Sequence, residues 1–91
     1  MFYVISYDIS DNRRRQRLAK LLLDYGHRVQ KSVFEADLDD RRFLHLKREI
    51  EKIIDWELDS VRYYPICRRC QGNVLVSGWG VLREDEDLLI V

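Results

Sequence analysis

An aspartate at the end of the first apolar run is the residue best placed to hold a metal ion. Asp8 follows residues 2–7, FYVISY, whose β-branched and aromatic side chains are typical of a central strand. A carboxylate at a strand end can bind a hard cation such as Mg²⁺, which usually takes one or two carboxylates and keeps several waters. One aspartate per chain is a poor site, so two copies of Asp8 would have to meet across a two-fold axis. The alternative is that Asp8 only caps the turn or helix that follows it.

A dense basic run is predicted to lie on the first turns of a helix. Its members are Arg13, Arg14, Arg15 and Arg17. Guanidinium groups bind phosphates through forked, charge-assisted hydrogen bonds. Basic side chains near a helix N-terminus oppose the helix dipole, so the run is not placed to stabilise the helix. We therefore interpret it as a phosphate-binding patch that Arg28 and Lys31 could extend, with a solvated helix face as the alternative.

Charge is unevenly distributed along the chain. The net charge is zero and the pI is about 6.7, which by itself does not indicate a nucleic-acid-binding protein. Residues 11–31 nevertheless hold seven basic side chains against two acidic ones, whereas residues 71–91 hold one against four. The neutral total therefore hides a basic N-terminal half and an acidic C-terminal segment, which either docks on a partner protein or is a solvated tail or edge strand.

Cys67 and Cys70 form the one short cysteine motif of the chain. The pair offers half of a zinc site, but four ligands are needed and His27 and His45 stand at the wrong spacing. We expect free thiols in a hairpin turn, because thiols in the cytosol are kept reduced. A redox pair is conceivable, but the motif is not predicted to open a helix after a βαβ strand, and a four-cysteine zinc site that bridges two chains is the other alternative.

Two amphipathic helices are predicted to position these residues. The first begins at Asp11, a good N-cap, and carries apolar residues at helical spacing until Gly26, which is typical of a helix end. The second is capped by Asp39 or Asp40 and has its own apolar stripe.

Strand-type segments alternate with these helices. Residues 27–38 form either one long bent strand or two short strands joined near Ser32, and further strands are predicted at 59–66 and 74–76. The order is β-α-β(β)-α-β-β. It predicts a single α+β domain over residues 1–91, with the ferredoxin-like β-α-β-β-α-β arrangement and an additional C-terminal strand.

Composition fits a folded, water-soluble domain. The chain has 91 residues, of which 46% are hydrophobic and 35% charged. No apolar run is long enough to cross a bilayer, and no basic leader precedes the first strand. We therefore expect a cytoplasmic protein without membrane contact.

Two neighbouring motifs resemble those of the CRISPR-associated protein 2 family. The pattern YDIS-D-RRR-RL is followed by G-x-RVQ-x-SVFE, and DSVRYYPI looks like the family's fourth strand. The resemblance implies a ferredoxin-like homodimer in which the last part of the chain, roughly 72–91, crosses to the partner's sheet. It also implies that Asp8 lies near the dimer axis and binds Mg²⁺ as the metal ligand and catalytic residue.

The same resemblance implies nucleic-acid contacts and an activity. The positions that match the family are Tyr7, Arg15, Arg17, Arg28 and Phe34. The other two arginines of the basic run, Arg13 and Arg14, are also predicted to contact nucleic acid. Members of the family are assigned metal-dependent endonuclease activity on RNA or double-stranded DNA. They also serve in spacer acquisition, an antiviral defence, as the central dimer of the integrase complex of CRISPR-associated protein 1. That second role needs a basic surface but no chemistry.

Overall fold

A four-stranded sheet and two long helices make up the part of the chain that the structure, a computed structural model, describes, which is residues 1–77. The elements in chain order are β1 (Phe2–Asp8), α1 (Asn12–Leu23), β2 (His27–Gln30), β3 (Val33–Asp37), α2 (Asp40–Ile53), β4 (Ser60–Ile66) and the short α3 (Arg68–Gln71). No helix within these residues is long and apolar enough to span a membrane.

The sheet has the strand order β2-β3-β1-β4, and all three pairings are antiparallel. Strand β1 is central, as its apolar sequence predicts, and it pairs along its whole length with β4, from Phe2 opposite Ile66 to Asp8 opposite Ser60. Since β1 and β2 are parallel neighbours of β3 joined through α1, the arrangement is the split β-α-β of a ferredoxin-like fold. The predicted α+β class is confirmed.

Residues 27–38 form two short strands, which settles the alternative left open by the sequence. Strands β2 and β3 pair as an antiparallel hairpin with an irregularity between Arg28 and Gln30. Tyr7 holds the turn from β1: its backbone N–H donates to the Ser32 carbonyl at 3.1 Å and its hydroxyl donates to the Lys31 carbonyl at 3.3 Å. The turn therefore depends on a tertiary contact and not on a glycine or asparagine.

The helix starts follow the sequence, but the end of α1 does not. Asp11 accepts a hydrogen bond from the backbone N–H of Arg14 and caps α1, and Asp39 caps α2 in the same way. Helix α1 ends at Leu23, before Gly26. A Cβ atom at Gly26 would lie 2.1 Å from the carbonyl oxygen of Glu35, so this glycine permits a close approach to β3 rather than ending the helix.

The core lies between the helices and one face of the sheet. Alternate residues of β1 (Tyr3, Ile5 and Tyr7) are buried there, because successive side chains of a strand point to opposite faces. Helices α1 and α2 and strand β3 supply the other large members of this core: Leu18, Leu22, Phe34, Leu46 and Ile50. Side chains on the opposite face are half-buried or exposed. They are Val4, Ser6 and Asp8 of β1 and Arg62 and Tyr64 of β4.

The last described residues differ from the sequence prediction. Residues 74–76, predicted as a further strand, lie in no helix or strand of the described chain. Residues 78–91, with most of the segment predicted to cross to a partner and the acidic stretch, lie outside the described residues. Cys67 and Cys70 stand at the N-terminal side of α3 and not in the predicted hairpin turn.

Candidate functional site

An open recess of about 180 Å³ lies on the exposed face of the sheet at the end of β1. Its lining residues are Ser6, Tyr7, Asp8, Ser60, Arg62 and Tyr64. The antiparallel register explains this set, because it places Asp8 opposite Ser60 and Ser6 opposite Arg62 on one face. Asp8 is exposed, so its carboxylate can reach a ligand.

The oxygen atoms in this recess suit a hard cation. The Asp8 carboxylate and the hydroxyls of Ser6 and Ser60 belong to the donor class that Mg²⁺ prefers. Residues 1–77 nevertheless contain no group of three or more His, Cys, Asp or Glu side chains that could hold a metal. One chain thus contributes one carboxylate, and a second copy of Asp8 would be needed to complete a charged pair of ligands.

Arg62 is a candidate functional residue that sequence reasoning missed. It shares the recess with Asp8 and is exposed. Its guanidinium could bind a phosphate that also approaches the metal. The alternation of side chains along β4 indicates that Arg62 and Tyr64 share a face. Placing that face beside Asp8 requires knowing that β4 pairs with β1.

Arg14 is engaged within the chain. Its Nε lies 2.8 Å and its Nη2 3.2 Å from the two carboxylate oxygens of Asp59, whose side chain is 0% exposed. The backbone N–H of Asp55 donates to the same carboxylate at 2.8 Å. This ion pair ties the first turn of α1 to the loop before β4, and it holds the strand start that pairs with Asp8.

Arg15 also bonds to its own chain. Its guanidinium donates to the Ile9 carbonyl at 2.9 Å and to the Asn12 side chain at 2.7 Å. It therefore shapes the loop between β1 and α1. Arg13 and Arg17 are exposed and form no ion pair within residues 1–77, so they are the members of the run whose guanidinium groups are available to phosphates.

Tyr7 and Phe34 lie in the core. They are 4% and 0% exposed, and their ring centroids are 6.3 Å apart. The guanidinium carbon of Arg28 lies 5.4 Å from the Phe34 ring centroid, a cation–π contact that orients an exposed side chain. Phe34 thus supports Arg28, and a direct contact of either aromatic ring with nucleic acid stays a prediction.

The structure brings the basic hairpin to the same end of the sheet as Asp8. Tyr7, the neighbour of Asp8, bonds to the carbonyls of Lys31 and Ser32 in the β2–β3 turn. Helix α1 begins four residues after Asp8, with its loop fixed by Arg15. Arg13, Lys31 and Asp8 therefore belong to one end of the fold, as a phosphate-binding site requires.

The Arg14–Asp59 pair gives a test of local stability. The Arg14 guanidinium holds the pKa of the Asp59 carboxyl below its usual 3.8, mainly through their hydrogen bond, against the opposing effect of burial. We expect Asp59→Asn to lower Tm at neutral pH by roughly 5–15 °C, because it removes a charge-assisted bond from a buried group. Thermal unfolding followed by circular dichroism measures this change.

The pH dependence of that loss has a definite sign. A carboxyl whose folded-state pKa is lowered stabilises the fold fully above its unfolded pKa, and the contribution is lost as pH falls through the folded value. The Tm difference between wild type and Asp59→Asn should therefore stay constant near neutrality and shrink below about pH 4. Glu57→Gln, an exposed change in the same loop, serves as control. A Tm difference that is equally large at pH 3 would disprove the role of the charge.

Sequence comparison identifies relatives over nearly the whole chain. A family model described as CRISPR associated protein Cas2 matches residues 1–74. The CRISPR-associated endoribonuclease Cas2 1 of Chloroflexus aurantiacus is 42% identical, with 100% of each chain covered. A Synechocystis endoribonuclease, Cas2 3, is 52% identical over 86% of this chain and 83% of its own. A Thermus thermophilus CRISPR-associated endonuclease, Cas2 2, is 42% identical over 98% of this chain and 94% of its own.

Solved structures share the fold. Streptococcus pyogenes Cas2, crystallised at pH 6.5, superposes with a TM-score of 0.77 at 35% identity and covers 86% of this chain and 100% of its own. A hypothetical protein from Thermus thermophilus gives a TM-score of 0.74 at 41% identity, with 88% of this chain and 90% of its own covered.

Proposed function

The chain belongs to the Cas2 family of CRISPR-associated proteins, three of whose members compared above are named nucleases, and we propose that it is an Mg²⁺-dependent endonuclease that works as a homodimer. One observation carries the proposal: Asp8 is exposed in a recess on the sheet face opposite the helices, with Ser60 opposite it and Arg62 beside it. The proposed role places the protein in the cytoplasm, together with its nucleic acid.

The exposed sheet face supports a symmetric pairing of two chains. It carries the half-buried Val4 and Val33 and the side chain of Tyr64, which is 46% exposed. Covering such a face removes apolar surface from water, which stabilises association. In a two-fold pair that uses this face, each Asp8 meets a recess of the same kind, and two carboxylates become available to one ion.

The residues of the recess have different roles in phosphodiester cleavage. When bound, Mg²⁺ would supply Lewis-acid polarisation of the phosphate and a water of lowered pKa. Asp8 holds the ion, and Arg62 positions a phosphate oxygen by a charge-assisted hydrogen bond. The two histidines lie elsewhere, since His27 contacts Glu35 at 3.5 Å and His45 lines a groove between α1 and α2. No histidine base therefore lines the described recess.

The nucleic acid itself would be held through its backbone. Arg13, Arg17, Arg28 and Lys31 are exposed, and Arg13 and Lys31 belong to the same end of the fold as Asp8. Contacts to phosphates carry no sequence information, so this surface fits either RNA or double-stranded DNA. Two of the relatives are named endoribonucleases and one an endonuclease, which makes RNA the first substrate to test.

A cleavage assay with and without metal tests the proposal. End-labelled single-stranded RNA and duplex DNA are incubated with the purified protein in Mg²⁺ or in excess chelator, while sedimentation measures its mass. We expect cleavage with Mg²⁺ only, by a species of twice the chain mass. Cleavage that persists in chelator, or an active monomer, would contradict the proposed shared site.

An architectural role is the second candidate function. Within the part of the chain that the structure describes, the recess is lined by one carboxylate and no histidine, while the exposed basic side chains need no catalysis to hold nucleic acid. In this role the homodimer is the central body between copies of the CRISPR-associated protein 1 integrase during spacer acquisition. Acquisition that survives Asp8→Ala but not the loss of Arg13 and Arg17 would favour this function.

A further inference from the structure

Cys67 and Cys70 lie at the other end of β4 from the candidate site. Cys67 directly follows β4 and caps the one-turn helix α3, and both thiols are exposed. The backbone N–H of Cys70 donates to the Cys67 sulfur at 3.4 Å. The two cysteines are therefore held three residues apart by one capped turn, with the Cys67 sulfur directed at the backbone of Cys70.

We propose that Cys67 and Cys70 are a redox-active dithiol that small disulfides of the glutathione class oxidise to an intramolecular disulfide. The capped turn that joins the two cysteines carries this inference, because the Cys67 sulfur already lies 3.4 Å from the backbone nitrogen of Cys70. Their exposure gives a small oxidant access. Exposed disulfides are more easily reduced than buried structural ones, so the pair can cycle in a reducing compartment.

The two thiols have different parts in the reaction. The hydrogen bond from the Cys70 N–H lowers the pKa of Cys67, while the interaction with the Cys67 side chain raises the pKa of Cys70. Cys67 is accordingly the attacking thiolate, and Cys70 resolves the intermediate.

The exchange proceeds in two balanced steps. The Cys67 thiolate attacks one sulfur of the small disulfide, whose S–S bond breaks and releases one thiolate, leaving a mixed disulfide on Cys67. Cys70 then gives its proton to solvent and attacks the Cys67 sulfur, and the second small thiolate leaves. The protein loses two electrons and two hydrogens, and the small disulfide is reduced to two thiols once the released thiolates take up protons.

A zinc site explains the pair less well. Structural zinc takes four ligands, and no third His, Cys, Asp or Glu joins these two cysteines within residues 1–77. Zinc would therefore need a second chain to supply the missing ligands. A disulfide needs only these two cysteines, which one turn of the chain joins.

The redox state of the cysteine pair should change the structure at the Ile66 end of β4 and leave the recess unchanged. Ile66 pairs with Phe2 at one end of the strand, whereas Ser60 pairs with Asp8 at the other, roughly 20 Å away at the usual rise per residue. A disulfide would fix the turn of α3, from which the chain continues to residue 72 and beyond. This inference stands apart from the proposed nuclease, so either can fail alone.

Thiol trapping in redox buffers tests the inference. The reduced protein is equilibrated with mixtures of reduced and oxidised glutathione and alkylated, and its intact mass is measured. As the fraction of oxidised glutathione rises, we expect a single chain without a disulfide to another chain. Its mass should be two hydrogens lower than that of the reduced chain, and it should carry no alkyl group. A chain that stays doubly alkylated in oxidised glutathione alone, or one that forms only disulfides between chains, would overturn the proposal.

Single substitutions test the assigned parts and the zinc alternative. With oxidised glutathione near neutral pH, Cys70→Ser should accumulate the mixed disulfide on Cys67 about tenfold faster than Cys67→Ser does on Cys70. Equal rates, or a faster reaction of Cys70, would contradict the assignment. Stoichiometric zinc in the purified protein that protects both thiols from alkylation would overturn the redox inference.

Discussion

Asp8→Ala is expected to lower the rate of Mg²⁺-dependent cleavage by about a thousandfold or more. Among the described residues 1–77, the substitution removes the only carboxylate that lines the recess. Metal-based stabilisation of a phosphoryl transition state is worth several kcal/mol, and each 1.4 kcal/mol or so is a factor of about ten in rate. Binding of the nucleic acid should change by less than about threefold, because exposed arginines hold its backbone.

Single-turnover cleavage and fluorescence anisotropy measure the two effects separately. Asp24→Ala is the matched control, since Asp24 is also an exposed aspartate but ends α1 and does not line the recess. It should cleave like the wild type. If Asp8→Ala retains wild-type cleavage, or if the control loses as much activity, Asp8 is not the metal ligand.

The double substitution Arg13→Gln, Arg17→Gln is expected to weaken nucleic-acid binding by roughly 10–100-fold at moderate salt. Both side chains are exposed and form no ion pair within the described residues, so their loss should leave the fold intact. Each lost phosphate contact also removes one released counterion. The slope of log K against log salt should therefore become shallower by about two units per chain in contact.

Two further variants show whether position or total charge matters. Arg68→Gln, Arg69→Gln removes the same charge from the opposite end of the sheet and should leave the salt slope near the wild-type value. Arg14→Gln should lower Tm more than it weakens binding, because Arg14 is paired with the buried Asp59. Equal weakening by the two double variants would show a nonspecific charge effect and disprove a localised patch.

Local features of the chain were predictable, and distant contacts were not. The central strand β1, the cap at Asp11 and the position of Asp8 follow from residues within one element or its neighbour. The β2–β3 turn was undecided because Tyr7, 24 residues from Lys31, helps to hold it. Gly26 was predicted to mark the end of α1. The glycine is required instead because the backbone of Glu35 in β3 lies close to it.

The basic run shows the same limit at the site. Its arginines are equivalent by sequence, yet Arg14 finds Asp59 45 positions away and Arg15 bonds to nearby carbonyls. Of the run, Arg13 and Arg17 are exposed and form no ion pair within residues 1–77. Likewise, Arg62 became a candidate once β4 was known to pair with β1. A single sequence does not reveal which of several like charges has a partner inside the fold.

The register of β1 with β4 restricts how the chain can change in length. Tyr63 faces the core while Arg62 and Tyr64 face the recess, so insertion or deletion of one residue within β4 would exchange the two sets. The core would then receive a guanidinium, and Asp8 would lose its neighbours in the same event. Insertions and deletions in related sequences are therefore expected in exposed turns and after α3. Strand β4 should keep its seven residues.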